Sequence, residues 1–290
     1  MAFIDYLSFT YRTQEPVVDA FPLRNELINL FGIPQYDWKL SRHGWNGYTH
    51  RITLPDCGLV AFGGKSQRNT IHVQLSGQGC RHVPDWFAVH AWATANTCKI
   101  ARIDLAHDDF EGAKVNIANA LSWRSQGLFN SRGRPPSCHL IDDFDSGKGK
   151  TFYAGNRANG KMIRIYEKGK QLERVDSPWC RAEVEFRAKD RTIDWDIVVD
   201  PDPYFGGACD AFAQLTSQQS RITTHTREKH AALDRNIAWA RIVVGPLVNL
   251  LYILLDGDAE AVVNILRRSG IPRKLEPHYR ELVDAQGVGS

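Results

Sequence analysis

The chain has 290 residues, 43% of them apolar and 24% charged, with 36 basic against 33 acidic side chains and a net charge of +3. These values fit a soluble globular protein long enough to bury a core without disulfide or metal staples, and they exclude nucleic-acid binding through bulk charge alone. Six cysteines at positions 57, 80, 98, 138, 180 and 209 form no C-x-x-C pair and read as reduced thiols of a cytosolic protein.

In chain order, "FIDYLSFTYR" (3–12) is rich in β-branched and aromatic residues and predicts an opening strand. "EPVVDAFPLRNELINLFG" carries early acidic residues, apolar residues at Leu23, Leu27 and Leu30 and a terminal glycine, and predicts a helix. "YTHRITLP", "GLVAFGG" and "TIHVQLSG" follow as three strands of an antiparallel meander, then "VPDWFAVHAWATAN" as a helix. "CKIARIDLAHDD" (98–109) returns to strand and "AKVNIANALSWRSQG" to helix, whereas 130–150, dense in Gly, Pro, Ser and Asp, reads as loop. "TFYAGNR", "KMIRIYEKGK" and "WCRAEVEFRAK" are three further strands.

From about residue 205 helical periodicity takes over, with a Gly-Pro break at 245 and 246 and "PDPYFGG" (201–207) as the boundary. The uncharged run "IVVGPLVNLLYILL" (242–255) is well short of the ~20 residues that a bilayer needs and reads as a buried core helix, so no membrane is expected. The expected architecture is α+β: a largely antiparallel sheet core over 1–200, with a strand-helix-strand order that occurs twice, and a helical extension over 205–290.

Successive side chains of a strand point to opposite faces, so parity assigns neighbours. Over 163–168 it groups Arg164, Tyr166 and Lys168 opposite Ile163 and Ile165. Over "ARIDLA" it groups Arg102 with Asp104, and over "CRAEVEFRA" it groups Arg181, Glu183, Glu185 and Arg187. Each strand thus has one apolar face and one face of arginine, carboxylate or tyrosine. Crowded carboxylates are reconciled by a divalent cation such as Mg²⁺ or Mn²⁺, which polarises a phosphoryl oxygen. A tyrosine of pKa ~10 attacks poorly at neutral pH, so Arg164 and Lys168 are expected to favour the Tyr166 phenolate. The set suits attack on a phosphodiester. Tyr153, in "TFYAGNR", is a rival nucleophile.

The ordered series "VQLSGQGCR", "RIDLAHDD", "TFYAGNR", "IRIYEKG" and "WCRAEVEFR" resembles the trans-acting replication initiation factors (Rep family) of rolling-circle plasmids and filamentous phages, with relaxases of some conjugative elements as relatives. The resemblance implies a site-specific DNA nickase and rejoining enzyme over roughly residues 3–250. It implies Tyr166 as nucleophile through a covalent 5′-phosphotyrosine, with Arg164 and Lys168 assisting, and Asp104, Glu183 and Glu185 as ligands of Mg²⁺ or Mn²⁺. Asp5 is a weaker candidate ligand. Its partners would be origin DNA, at a hairpin or single-stranded nick site, and a host helicase and polymerase; a homodimer is a further expectation. Arg102, Arg181 and Arg187 on the polar face are candidate DNA contacts. So are Arg267, Arg268, Arg273 and Lys274, clustered around a Gly-Pro break. The sequence has no H-x-H motif, and it lacks the glycine that would complete a phosphate-binding loop at "GGKS" or "GKT", so unwinding would fall to another protein. The alternatives are a conjugative relaxase and a non-catalytic origin-binding protein.

Overall fold

The computed structural model of the chain describes residues 1–33, 38–41, 43–130, 133–144, 146–189, 191–216, 237, 240–241 and 243–268. It divides into two compact units, Met1–Ile222 and Thr223–Ser290.

The first unit is built on ten antiparallel strands: β1 (Phe3–Arg12), β2 (Lys39–Ser41), β3 (His50–Leu54), β4 (Gly58–Phe62), β5 (Thr70–Leu75), β6 (Lys99–Asp109), β7 (Cys138–Ile141), β8 (Thr151–Asn156), β9 (Lys161–Tyr166) and β10 (Cys180–Arg187). They form one sheet in the order β2-β3-β4-β5-β1-β6-β10-β9-β8-β7. That order reads the same from either end once each of the first five strands is matched to the strand five later, so the twice-occurring unit of the sequence is a duplication about a pseudo-twofold between β1 and β6. Helix α1 (Pro16–Phe31) packs on β4 and β5, and α4 (Ile117–Ser125) packs on β8 and β9, of which β9 is the equivalent of β4. Between them lie α2 (Gly77–His82) and α3 (Trp86–Ala95). Four short helices follow: α5 (Lys168–Gln171), α6 (Asp196–Val199), α7 (Pro201–Gly206), which meets β1 and β6 at the pseudo-twofold, and α8 (Asp210–Ala213).

Local chemistry sets the helix ends. Gly32 closes α1 in the left-handed conformation, its N–H bonded to the Ile28 carbonyl, and Asn116 caps α4 by accepting from the Asn119 N–H. The apolar strand faces form the core, with Leu7, Ile103, Leu105, Ile165 and Val184 fully buried.

Four details differ from the sequence reading. The 130–150 loop contains the edge strand β7, four residues long and paired to β8. "GQGC" opens the helix α2, capped by Ser76. The proposed boundary "PDPYFGG" is the packed helix α7, with Phe205 fully buried against Phe212 at a ring separation of 4.4 Å, so the sheet unit runs past it. In the second unit, Pro246 begins the helix Gly245–Leu254, and none of that helix's residues is buried. Beside it among the described residues is the helix Ala259–Leu266, too short to cover the exposed Leu250, Ile253 and Leu254. No helix among the described residues is long and apolar enough to cross a membrane.

Candidate functional site

Strands β6, β10 and β9 are consecutive in the sheet, and directly opposed residues share a face. Glu185 opposes Asp104 and Met162, Glu183 opposes Arg164 and Ala106, and Arg181 opposes Tyr166 and Asp108. The parity groups therefore merge into a single polar surface. Asp5 joins it from β1, at an irregularity between Ile4 and Tyr6 that lets its carboxylate meet Arg181 at 2.8 Å.

At its centre the Tyr166 hydroxyl donates to Glu183 Oε2 at 3.2 Å. Arg164 bonds the other oxygen of Glu183 and approaches Asp104 Oδ2 at 3.3 Å, so Asp104 stands one guanidinium away from the tyrosine's partner. Arg102 Nε donates to Asp104 Oδ1 at 2.8 Å and its Nη2 lies 3.2 Å from Glu185 Oε2. Arg157 Nε reaches the same Glu185 oxygen at 3.1 Å, and Arg187 bonds the other. Asp104, Glu183 and Glu185 are at most 2% exposed, whereas the side chains of Arg102, Arg164, Arg187 and Arg157 are 21, 23, 39 and 52% exposed. Arginines roof a carboxylate floor.

The electrostatics sort these groups. Burial pushes Glu183 up to about 7, against the opposing pull of Arg164, and the nearby Asp104 and Asp5 push the same way. Glu185 sits below its ordinary value because Arg187, Arg102 and Arg157 hold its charge against the cost of burial. The two glutamates are thus unlike: one is short of positive charge and the other is fully matched.

Tyr166 corrects an expectation. Its hydroxyl is held well above the usual phenol range, chiefly by burial and then by Glu183, against the lowering influence of Arg181 and Arg164. Desolvation outweighs the cations. Lys168 is also placed differently: the strand ends at Tyr166, Lys168 begins α5, and its Nζ lies 5.6 Å from the Tyr166 ring centroid. It bonds Gln171 Oε1 at 3.0 Å, and burial lowers its pKa.

Arg181, expected to meet DNA, is 3% exposed and committed to Asp108 at 2.7 Å and Asp5 at 2.8 Å, because its position faces the tyrosine rather than solvent. Arg267 and Arg268 are exposed just past the helix Ala259–Leu266 of the second unit, and Arg273 and Lys274 lie outside the described residues. Tyr153 opposes Arg164 on the same face, stacked on His139 with centroids 4.8 Å apart. Sequence reasoning missed Arg157, Asp108 and Tyr6. Arg157 closes the quoted "TFYAGNR" beyond the strand's last residue, where parity no longer assigns a face; Tyr6 lies under the Arg102 guanidinium at 4.2 Å.

Among the described residues no three carboxylate, imidazole or thiol side chains form a ready metal cage. Asp104 and Glu183 nonetheless fit a cation by their chemistry, since the nearby Asp104 raises the cost of the Glu183 charge; Glu185 fits less well, being matched by arginine.

A model of the replication initiation factor family matches residues 98–266. No curated protein sequence matches the chain significantly. Among solved structures, the chain is similar to the rolling circle replication initiator protein of Geobacillus stearothermophilus, with a TM-score of 0.57 and 19% identity over 78% of this chain and 91% of that one. That similarity is one of fold.

Proposed function

The chain belongs to the replication initiation factor family, and from that premise we propose that it starts rolling-circle replication by nicking one strand of origin DNA with Tyr166 and later rejoining it. The observation that carries the reading is the Tyr166 hydroxyl donating to Glu183 at 3.2 Å beneath a roof of arginines. A buried phenol needs a base at the moment of attack, and a carboxylate near 7 is suited to accept its proton at neutral pH.

The reaction follows from these groups. A phosphodiester entering beneath the roof exchanges its charge for contacts that Arg102 and Arg164 now give to Asp104 and Glu183. Glu183 takes the Tyr166 proton as the phenolic oxygen bonds to phosphorus. The P–O3′ bond breaks, and the proton becomes available to the departing 3′ oxygen. One phosphate ester replaces another, so attack by a later 3′ hydroxyl on the phosphotyrosine restores the DNA and returns the proton to Tyr166. Asp104 and Glu183 would hold Mg²⁺ or Mn²⁺, which would supply Lewis-acid stabilisation of the charge on the phosphoryl oxygens. The Glu185 cluster would fix Arg102, Arg157 and Arg187 around the incoming strand. Lys168 would keep Tyr166 oriented through its ring. The second unit's Arg267 and Arg268, with Arg273 and Lys274, would add phosphate contacts, and a host helicase and polymerase would act on the opened strand in the cytoplasm.

The test is conversion of supercoiled origin plasmid to open circles in Mg²⁺ or Mn²⁺. Wild type should nick and leave protein covalently on the 5′ end, while Tyr166→Phe should bind the same DNA and produce neither product. Nicking retained by Tyr166→Phe would move the nucleophile elsewhere, Tyr153 first. Binding without nicking by wild type would leave an origin-binding protein.

A further inference from the structure

The pseudo-twofold gives the polar face a second, altered copy of the site. The regular stretch of the seam, Tyr6–Ser8 against Arg102–Asp104, has a register shift at each end, so its centre is the Leu7–Ile103 pair, and the twofold through that pair puts Ser8 in the first half where Asp104 stands in the second. Counting outward in register, Gln74 takes the place of Glu185 and His72 that of Glu183. Ala61 takes the place of Arg164 and Arg51 that of Tyr153. One two-residue step past Ala61, Gly63 falls where Tyr166 stands. The carboxylates and the nucleophile are gone, and the polar groups that remain border a small apolar cluster of Tyr48, Leu59 and Ala61.

Those polar groups are incompletely satisfied. His72 is 8% exposed and its Nε2 has no hydrogen-bond partner among the described residues; the same holds for Gln74 Oε1 and Arg51 Nε, all buried atoms of this one face. A buried donor or acceptor left unpaired costs stability, so three in one patch call for a ligand or a function. Over them lies a hairpin tip whose turn residues Asn46 and Gly47 are left-handed. From it the Trp45 ring stacks on His72 at 4.8 Å and 25°, while the Tyr48 hydroxyl bonds Thr70 at 2.8 Å.

We propose that this first-half copy, comprising Ser8, Arg51, His72 and Gln74 under Trp45, is a non-catalytic site for an unpaired nucleobase of the DNA strand whose phosphodiester lies at Tyr166. The inference deepens the nicking proposal and rests on it for the presence of DNA on this face. An amide, a neutral imidazole and a hydroxyl are the donors and acceptors that read a base edge, and an indole is the platform on which a base stacks. Burial keeps His72 neutral, with its pKa lowered to about 4, so the ring adds hydrogen bonding without charge. No carboxylate occurs among Ser8, Arg51, His72 and Gln74, which argues against a cation there. Gln74 shares a cross-strand row with Ser8, Arg102 and Arg187, while Tyr166 lies on the next strand, β9, opposite Arg181, so the two places are about 19 Å apart across the sheet and about 20 Å along it, roughly 28 Å in all. At ~3.4 Å per stacked base this is about eight nucleotides, a span that one strand can bridge.

The experiment is fluorescence anisotropy of the full chain with fluorescein-labelled dT20, dA20, dC20 and a duplex of mixed sequence, in chelator so that no cleavage intervenes. Wild type and Tyr166→Phe should favour one homopolymer over the others. Gln74→Leu and Trp45→Ala should each lose about tenfold in affinity for the favoured strand and flatten the preference, with duplex affinity unchanged. Unchanged single-strand affinity and preference in Trp45→Ala, whose side chain packs on the small Tyr48, Leu59 and Ala61 cluster and outside the main sheet core, would overturn the proposal; so would equal loss on duplex and single strands. If Gln74→Leu does not fold, Trp45→Ala decides. Because Tyr166→Phe should keep the preference, a failure of the nicking reading and a failure of this one give different results.

Discussion

Glu183 carries the most informative single environment in the protein. Its pKa is raised in the folded chain, to about 7 from 4.5, so between those values the folded state binds a proton that the unfolded state has released. Stability from this group is therefore present at low pH and is lost as pH rises through the window. In chelator, the unfolding free energy of wild type should fall relative to Glu183→Gln between about pH 4.5 and 7, as measured by urea titration at each pH. Saturating Mg²⁺ or Mn²⁺ should reverse that relative loss at pH 7 in wild type and not in Glu183→Gln; no metal effect on either would remove Glu183 from the proposed cation site. At the same scale Tyr166 shows why residue type alone misleads. Two flanking cations suggested an easily ionised phenol, but the ring is 9% exposed and burial sets the sign.

At the scale of elements, the geometry around Tyr166 depends on where β9 stops. Its last residue is Tyr166, and the chain turns into α5 so that Lys168 returns over the tyrosine ring. The turn depends on Gly169, where an added Cβ would lie 2.4 Å from both Cβ and Oγ of Ser177, while the Gly169 N–H bonds the Trp179 carbonyl at 3.0 Å. Gly169→Ala should therefore cost about 1–3 kcal/mol in denaturant unfolding and slow nicking by displacing Lys168. Unaltered stability and rate would show that the turn gives way without consequence. Alternation over 163–166 was legible in the sequence, but the end of the strand was not. Glu167 and Lys168 continue the same polar and cationic composition, and the extended conformation gives way to helix where the Glu167 and Lys168 carbonyls accept from Gln171 and Leu172 and Gly169 packs on Ser177. Likewise β7 was hidden because residues 138–141 form a short edge strand whose pairing with β8 owes nothing to local propensity.

For the whole molecule, the duplication joins two five-stranded halves through β1 and β6 into one sheet with a continuous core. Leu7 is fully buried beside that seam, opposed to Leu75 on one side and Ile103 on the other. Leu7→Ala should destabilise by about 2–5 kcal/mol and move the sheet unit's unfolding as a single transition, with far-ultraviolet circular dichroism and tryptophan fluorescence coinciding. Two separated transitions of the sheet unit would mean that the halves fold independently. The sequence by itself determined the α+β class, the order of most elements and which side chains of each strand share a face, because periodicity and turn chemistry act over a few neighbouring residues. It also carried the motif series that marks the family. Only the tertiary structure decided that β6, β10 and β9 are adjacent, that Arg181 is locked inside while Arg157 reaches Glu185, and that Ser8, His72 and Gln74 of the first half stand where Asp104, Glu183 and Glu185 stand in the second. Those outcomes depend on contacts between residues far apart in the chain and on burial, which a local pattern does not encode.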